Sequence, residues 1–258
     1  MSGTAALRTI LSEVDPSWHG SGPDRIEPEL LAAARNSALG RRLLGRWLAS
    51  GDAPALLAPQ PGEGFGAAAL RWPRARVERL VRDLGALAYA PAIRAEVRRD
   101  PVRRLKQALD NAYLLALDSL VWDGKVQAQL GAQLNAELDA ALRDPDDRTM
   151  LDLLDRRGRA ELRLWAERRD PGLADWSRLL LPRGLHDPTS SLVAHLPPET
   201  VERLHAHHGA RPLAAMVTSE AFSSTAVARP RLAPGPTGRL VSRRRSSGRF
   251  SGACGLKR

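Results

Sequence analysis

The hydrophobic positions of this chain recur at helical spacing over most of its length. The clearest stripe, at intervals of three and four residues, is formed by Val77, Leu80, Val81, Leu84, Leu87 and Ala88. This spacing predicts one buried helix face, in a helix that begins near Pro73, a residue suited to the first helical turn. Pro91 ends or kinks this helix and opens the next one. Gly85 and the alanines around it allow another helix to approach closely.

The same period predicts further helices on both sides of this stretch. Residues 28–48 form one or two helices with possible breaks at Gly40 and Gly45. Asp100 and Pro101 are an N-cap and a first-turn proline for a helix that runs through residues 102–122, with Gly124 as its stop. Later helical segments are residues 126–142, 144–170, 172–182 and 197–208. No segment alternates with a period of two, so the sequence predicts an all-α domain of about eight helices over residues 1–216.

The pattern stops after Met216. Residues 217–258 are dominated by Ser, Arg, Gly, Pro and Ala and have no apolar stripe, which predicts disorder. From Thr218 onward there are nine basic residues and one acidic residue, a net charge of +8. The remaining 30 basic and 28 acidic residues give only +2, so most of the total charge of +10 belongs to this tail.

Cysteine usage and hydropathy bear on the compartment. The single cysteine, Cys254, excludes an intrachain disulfide framework and fits a reducing compartment. No apolar run approaches the roughly 20 residues needed to cross a bilayer, and the first residues lack the apolar core of a secretory signal. We therefore expect a cytoplasmic protein.

Catalytic and cofactor signatures are absent from the sequence. Ser190 and Ser191 lie near His186 and Asp187 but without a nucleophile elbow, and the glycine-rich stretch 62–66 does not follow a strand. His205, His207 and His208 could approach a metal, but no cysteine or carboxylate at ligand spacing accompanies them, so we expect helix-terminal histidines. The sequence predicts no enzyme, no cofactor, no metal site and no small-molecule substrate.

One part of the predicted domain concentrates basic side chains. These are Arg94, Arg98, Arg99, Arg103, Arg104 and Lys106, on both sides of the Asp100–Pro101 corner. The simpler interpretation is a solvated face partly paired with Glu96 and Asp100. The alternative is a docking patch for an acidic protein partner. Of the six tryptophans most are expected in the core, while Trp18 and Trp72, beside loops, fit either the core or an interface.

Three segments together resemble a known family. They are DPSWHG at residues 15–20, the stretch from Leu80 to Val97, and LRLWAERRDPGLADWSRLLLP at residues 162–182. In this order and spacing the chain resembles SctK, the YscK/PscK-type cytosolic protein of bacterial type III secretion systems. The resemblance spans about residues 10–210.

This resemblance implies a non-enzymatic adaptor of the sorting platform. Such a protein connects the cytoplasmic domain of the inner-membrane ring protein SctD to the pod of SctQ and SctL, and through SctL to the SctN ATPase. It implies a location at the cytoplasmic face of the inner membrane. The family supplies no contact residues to transfer, so docking by Arg94, Arg98, Arg99, Arg103 and Arg104, with Trp18, is a hypothesis from charge and aromatic character alone.

The tail departs from the family pattern, since similar proteins end near Met216. We hypothesise a frameshifted or variant terminus. An alternative function from another class is a helical nucleic-acid-associated or regulatory protein that binds through the basic tail, where Arg243, Arg244 and Arg245 would attract phosphate. Because the tail has only two aromatic residues, Phe222 and Phe250, nucleic-acid binding is not the expected function.

Overall fold

The computed structural model describes residues 10–19, 26–57, 72–183 and 193–210. By its internal contacts the chain divides into two units, residues 1–216 and 217–258. Every described residue belongs to the first unit. The predicted disorder of residues 217–258 therefore lies outside the described residues, as do the glycine-rich stretch and the serine pair considered above.

Eleven α-helices lie wholly within the described ranges, after a 3-10 turn at Pro16–Trp18. They are α1 (Pro28–Asn36), α2 (Ala38–Ser50), α3 (Pro54–Leu57), α4 (Arg74–Ala88), α5 (Ala90–Ala95), α6 (Arg99–Leu109), α7 (Asn111–Leu117), α8 (Ala128–Arg143), α9 (Asp147–Arg169), α10 (Pro171–Leu179) and α11 (Pro198–Ala210). These ranges contain no strand, so the all-α prediction is confirmed.

The predicted proline positions and the observed helix ends agree closely around α4. Pro73 is the N-cap of α4, which ends at Ala88, and Pro91 occupies the first turn of α5. The apolar stripe of α4 is buried along its whole length, with Leu80 and Leu84 fully inaccessible. The sequence alone predicted this helix correctly because the prolines mark its ends and the apolar stripe between them is the face that is buried.

The single helix predicted over residues 102–122 is wrong. α6 ends at Leu109, α7 begins at Asn111, and the chain leaves the helix after Leu117. Asp110 between them has φ 46°, and no other non-glycine residue in the described ranges has a positive φ. Its ψ of −116° places Asp110 outside the left-handed helical region that aspartate tolerates, in a conformation that glycine favours. The sequence has no glycine or proline at this position, so the break carries no local signal.

The break between α1 and α2 also differs from the prediction. It falls at Ser37, whose Oγ accepts a hydrogen bond from the Gly40 amide at 2.9 Å and caps α2. Gly40 and Gly45 lie inside α2 and do not break it. A Cβ on Gly40 would stand 2.4 Å from the Ala34 carbonyl oxygen, so this glycine permits the tight turn between the two helices.

The centre of the domain is the crossing of α4 and α9. α4 packs against α7, α9 and α11, and α9 also contacts α8 and α10. At the crossing, a Cβ on Gly85 would lie 2.1 Å from the Leu154 carbonyl oxygen, and one on Gly158 would lie 1.9 Å from the Val81 carbonyl oxygen. The two backbones therefore touch directly, which confirms that Gly85 allows a close helix approach.

The N-terminal segment is anchored to the end of α10. The amide of Asp15 donates to the carbonyl of Leu179 at 2.9 Å, and the indole Nε1 of Trp18 donates to the carbonyl of Leu181 at 2.7 Å. Within the described ranges, no helix combines the length and apolar character that crossing a membrane requires.

Candidate protein-binding surface

The basic corner predicted from sequence forms where α5 ends and α6 begins. α6 starts at Arg99, one residue before Asp100, so Asp100 stands in the first turn and not at the N-cap. Arg98, the residue at the cap position, donates to Glu96 at 2.5 Å and to Asp139 of α8 at 2.6 Å. Its hydrogen bonds lower the pKa of both carboxyl groups below their ordinary values. Arg98 therefore ties the corner to α8 through paired charges.

Arg94 has a structural role in place of the predicted docking role. Its guanidinium donates to four backbone carbonyls, those of Ala116 (2.8 Å), Trp122 (2.7 Å), Asp123 (3.0 Å) and Asp118 (3.3 Å). Gly124, with φ 76°, lies against it, and a Cβ there would stand 2.7 Å from Nη1. Arg94 thus satisfies carbonyls at the end of α7 and in the irregular segment that follows, and each of its three guanidinium nitrogens donates to the chain itself.

Arg104 is also occupied within the domain. Its Nε donates to Asp147 at the start of α9 at 2.9 Å, and its Nη1 donates to the carbonyl of Leu142 at the end of α8 at 2.8 Å. A guanidinium bridging the C-terminal carbonyls of one helix and the first-turn carboxylate of the next stabilises the link between them. We therefore assign Arg104 to this link.

Three basic side chains of α6 face solvent. Arg99, Arg103 and Lys106 follow the spacing i, i+4, i+7, so they share one exposed face of the helix, separate from the buried Leu105 and Leu109. We call these three residues the basic face of α6. Neither arginine makes an ion pair with a described residue, and Lys106 lies 5.6 Å from the ring centroid of Tyr113. This face is what remains available of the predicted patch.

Trp18 is buried, which contradicts its predicted contact with a partner. Only 3% of the residue is exposed, and its indole is bonded to Leu181. The guanidinium groups of Arg178 and Arg183 lie 5.5 Å and 5.4 Å from the centre of its ring. The only sequence signal for an interface was the position of Trp18 beside a loop. The sequence could not show the burial of the ring, because the residues that cover it are more than 150 positions away.

The other tryptophans follow the predicted distribution with one exception. Trp72, Trp122, Trp165 and Trp176 are buried, and the indole of Trp176 donates to the carbonyl of Trp72. Trp47 on α2 is 40% exposed. The core expectation is confirmed for Trp122, Trp165 and Trp176 and wrong for Trp47, and Trp72, for which both alternatives were open, belongs to the core.

The histidines of α11 are held by aromatic rings and a carboxylate. His205 lies between the rings of Trp72 and Trp165, with centroid distances of 4.6 Å and 4.7 Å. Nε2 of His208, which is fully buried, lies 2.8 Å from Asp83 of α4. Among the residues that the structure describes, no three His, Cys, Asp or Glu side chains come together as metal ligands would. His208 therefore docks α11 onto α4, and His205 docks it against Trp72 and α9.

A buried polar cluster on α9 was missed from the sequence. Glu161, 2% exposed, accepts the backbone amides of His195 at 2.9 Å and Leu196 at 3.1 Å, while Arg157, also 2% exposed, donates to the carbonyl of Val193. Burial raises the pKa of Glu161 and lowers that of His195, whose Nδ1 lies 3.2 Å from the Glu161 carboxylate. Because both carboxylate oxygens accept backbone amides, the cluster anchors residues 193–196. Its signal was an arginine and a glutamate within the buried stripe of α9.

A second surface missed from the sequence is the outer side of α2. Leu39, Leu43 and Trp47 recur every four residues and are 69%, 56% and 40% exposed. The signal was available, since α2 carries apolar residues on two faces and only one can be buried against the core.

The chain was compared with known families, sequences and structures. No family model, no curated protein sequence and no solved structure matches the chain.

Proposed function

We propose that this protein is a helical adaptor of the type III secretion sorting platform, which links the cytoplasmic domain of SctD to SctQ and SctL and so to the SctN ATPase. The resemblance of three segments to SctK motivates the proposal. The observation that carries it is the basic face of α6, an exposed row of charges that the rest of the described domain leaves unpaired.

Two of the segments that carry the resemblance contact each other in the fold. Asp15 and Trp18 of the first segment bond to Leu179 and Leu181 of the third. The second segment covers most of α4 and all of α5, and α4 packs against α9, whose C-terminal part begins the third segment. The shared residues are therefore mainly core residues, and they support a common helical scaffold. Partner choice has to come from surface residues.

The basic face of α6 suits an acidic surface on SctD or SctQ. An exposed ion pair contributes only about 0.2–1 kcal/mol, so three such pairs favour orientation and association rate more than affinity. Binding should weaken as salt rises, because the charges are exposed and the Debye length is about 10 Å at 0.1 M salt. Exposed Val97, next to the corner, adds an apolar contact at the edge of this face.

The proposal is tested by co-purification with SctD, SctQ and SctL after Arg99→Glu and Arg103→Glu are introduced together. Arg98 stays unchanged because it holds Glu96 and Asp139. Arg148→Glu with Arg156→Glu makes the same charge change at exposed positions of α9 and is the control. We expect the α6 variant to lose one of the three partners while the control retains all of them. Retention of every partner by a folded α6 variant would exclude this face.

Deletion of residues 218–258 distinguishes the adaptor from the nucleic-acid-associated alternative. An adaptor that docks through α6 keeps its protein partners after the deletion. A protein that acts through the basic tail loses a salt-sensitive affinity for DNA or RNA, because it loses a net charge of +8.

A further inference from the structure

The outer side of α2 presents an apolar stripe flanked by positive charge. Leu39, Leu43 and Trp47 form the stripe, and Arg42 and Arg46 lie between them on the same side of the helix. We call these five residues the outer face of α2. Both arginines are exposed, and neither makes an ion pair with a described residue. Three arginines and no acidic residue occur in α2, so the stripe lies in a locally positive field.

The inner side of α2 is already used by the core. Leu44, Gly45 and Leu48 are buried, with Leu48 fully inaccessible, and the helix packs against α1 and α3. Ser37 caps its N-terminus. The buried face thus fixes the position of α2, and the outer face is exposed to solvent. The domain can fold without burying the outer face. Three large apolar side chains exposed at helical spacing are typical of an interaction site.

We propose that the outer face of α2 binds an acidic amphipathic helix of a partner protein. The stripe from Leu39 to Trp47 covers eight helical steps, about 12 Å, which matches a little over two turns of a docked helix. Apolar residues of the partner at i, i+4 and i+7 would cover the stripe. Glutamates or aspartates beside them would pair with Arg42 and Arg46.

Charge distinguishes this occupant from a second copy of the chain. A second copy of the chain, docked face to face, would oppose Arg42 and Arg46 with the same arginines, and like charges across an interface are unfavourable. An anionic membrane would also attract the arginines, so vesicle binding is measured separately as an outcome of the test. The surface is independent of the basic face of α6 and does not rest on the secretion-platform proposal.

The test uses a fluorescein-labelled synthetic peptide of about 16 residues, long enough for four helical turns. It has leucines at i, i+4 and i+7 with glutamates on both flanks, and a second peptide has lysines in place of the glutamates. Binding to the full-length protein is followed by fluorescence anisotropy at two salt concentrations. We expect the glutamate peptide to bind and the lysine peptide not to bind.

Variants of the outer face locate the binding. Leu39→Ser with Leu43→Ser should weaken binding at least about tenfold, as loss of central apolar anchors does. Arg42→Gln with Arg46→Gln should weaken it about three- to tenfold and reduce its salt dependence. The controls are Leu164→Ser, which changes a leucine of α9 that is 41% exposed, and Arg168→Gln with Arg169→Gln. Both controls should bind as the unmodified protein does.

Three results would overturn the proposal. The first is an equal affinity for the glutamate and lysine peptides, or no affinity for either. The second is binding of the protein to phosphatidylserine-containing vesicles that Leu39→Ser with Leu43→Ser abolishes, which would assign the face to lipid. The third is a concentration-dependent dimer in sedimentation velocity that the same variant dissociates, which would assign it to a second copy.

Discussion

Replacement of Gly158 by alanine tests whether the backbones of α4 and α9 touch. A Cβ at this position would lie 1.9 Å from the Val81 carbonyl oxygen and 2.8 Å from the Gly85 amide nitrogen. Ordinary contact begins at 3.4 Å, so the nearest atom has to move by about 1.5 Å. The obstructing atoms belong to helix backbone, and no flexible side chain can move aside to make room.

The expected cost follows from two opposing effects. Insertion of a methyl group into a close-packed core destabilises by about 1–3 kcal/mol, and a backbone obstruction belongs at the upper end of that range. Alanine in place of glycine favours the helix by about 1 kcal/mol. The net loss in the free energy of unfolding is therefore about 2 kcal/mol, or roughly 4–8 °C in Tm for a domain of this size.

The measurement is urea unfolding followed by circular dichroism, with Gly131→Ala of α8 as the matched control. A Cβ at Gly131 meets only the Val126 side chain at 3.5 Å, so alanine there should stabilise the protein by up to about 1 kcal/mol. If Gly158→Ala stabilises the protein as the control does, the two helices are farther apart than described and the reasoning fails.

Three further changes test the contacts of buried or occupied side chains. Arg94→Lys should lower the free energy of unfolding by about 2 kcal/mol, because an ammonium cannot reach the four carbonyls that the guanidinium joins, and equal stability in urea would contradict this. Trp18→Phe should cost about 1 kcal/mol through the lost bond to Leu181 and leave partner co-purification unchanged; loss of a partner would restore the predicted interface role. Burial, with a smaller effect of nearby Arg35, lowers the pKa of His19 from 6.5 to about 4, so folding favours the neutral ring. That stability is present above pH 6.5 and is lost as pH falls toward 4, by at most about 3 kcal/mol. His19→Phe should flatten this part of the stability–pH curve, since neither buried ring nitrogen has a hydrogen-bond partner to lose, and an unchanged slope would refute the assignment.

Local sequence signals predicted the helices whose ends are marked by proline. α4 and α5 are bounded by Pro73 and Pro91, and the stripe between them is the buried face. The break at Asp110 had no such marker, since an aspartate with positive φ is selected by the tertiary packing of α6 and α7. This break adds one helix to the predicted number.

The basic corner could be found from sequence, but the use of each arginine could not. Arg98 reaches Asp139, 41 residues along the chain, and Arg104 reaches Asp147, 43 residues along. Arg94 bonds only to backbone carbonyls, which have no sequence signature. Arginines with partners far along the chain look the same in the sequence as unpaired ones, so only the fold separates the basic face of α6 from the structural arginines.

The bond between Trp18 and Leu181 joins residues 163 positions apart. On a ribosome that adds about 5–20 residues per second, the N-terminal segment waits roughly 10–30 s before its docking site has been synthesised. During that interval the ring of Trp18, 3% exposed in the fold, lacks its hydrogen bond to Leu181 and the guanidinium groups of Arg178 and Arg183 that lie against it. The domain is therefore completed only after the chain has been synthesised beyond α10, and until then the indole of Trp18 is open to non-native contacts.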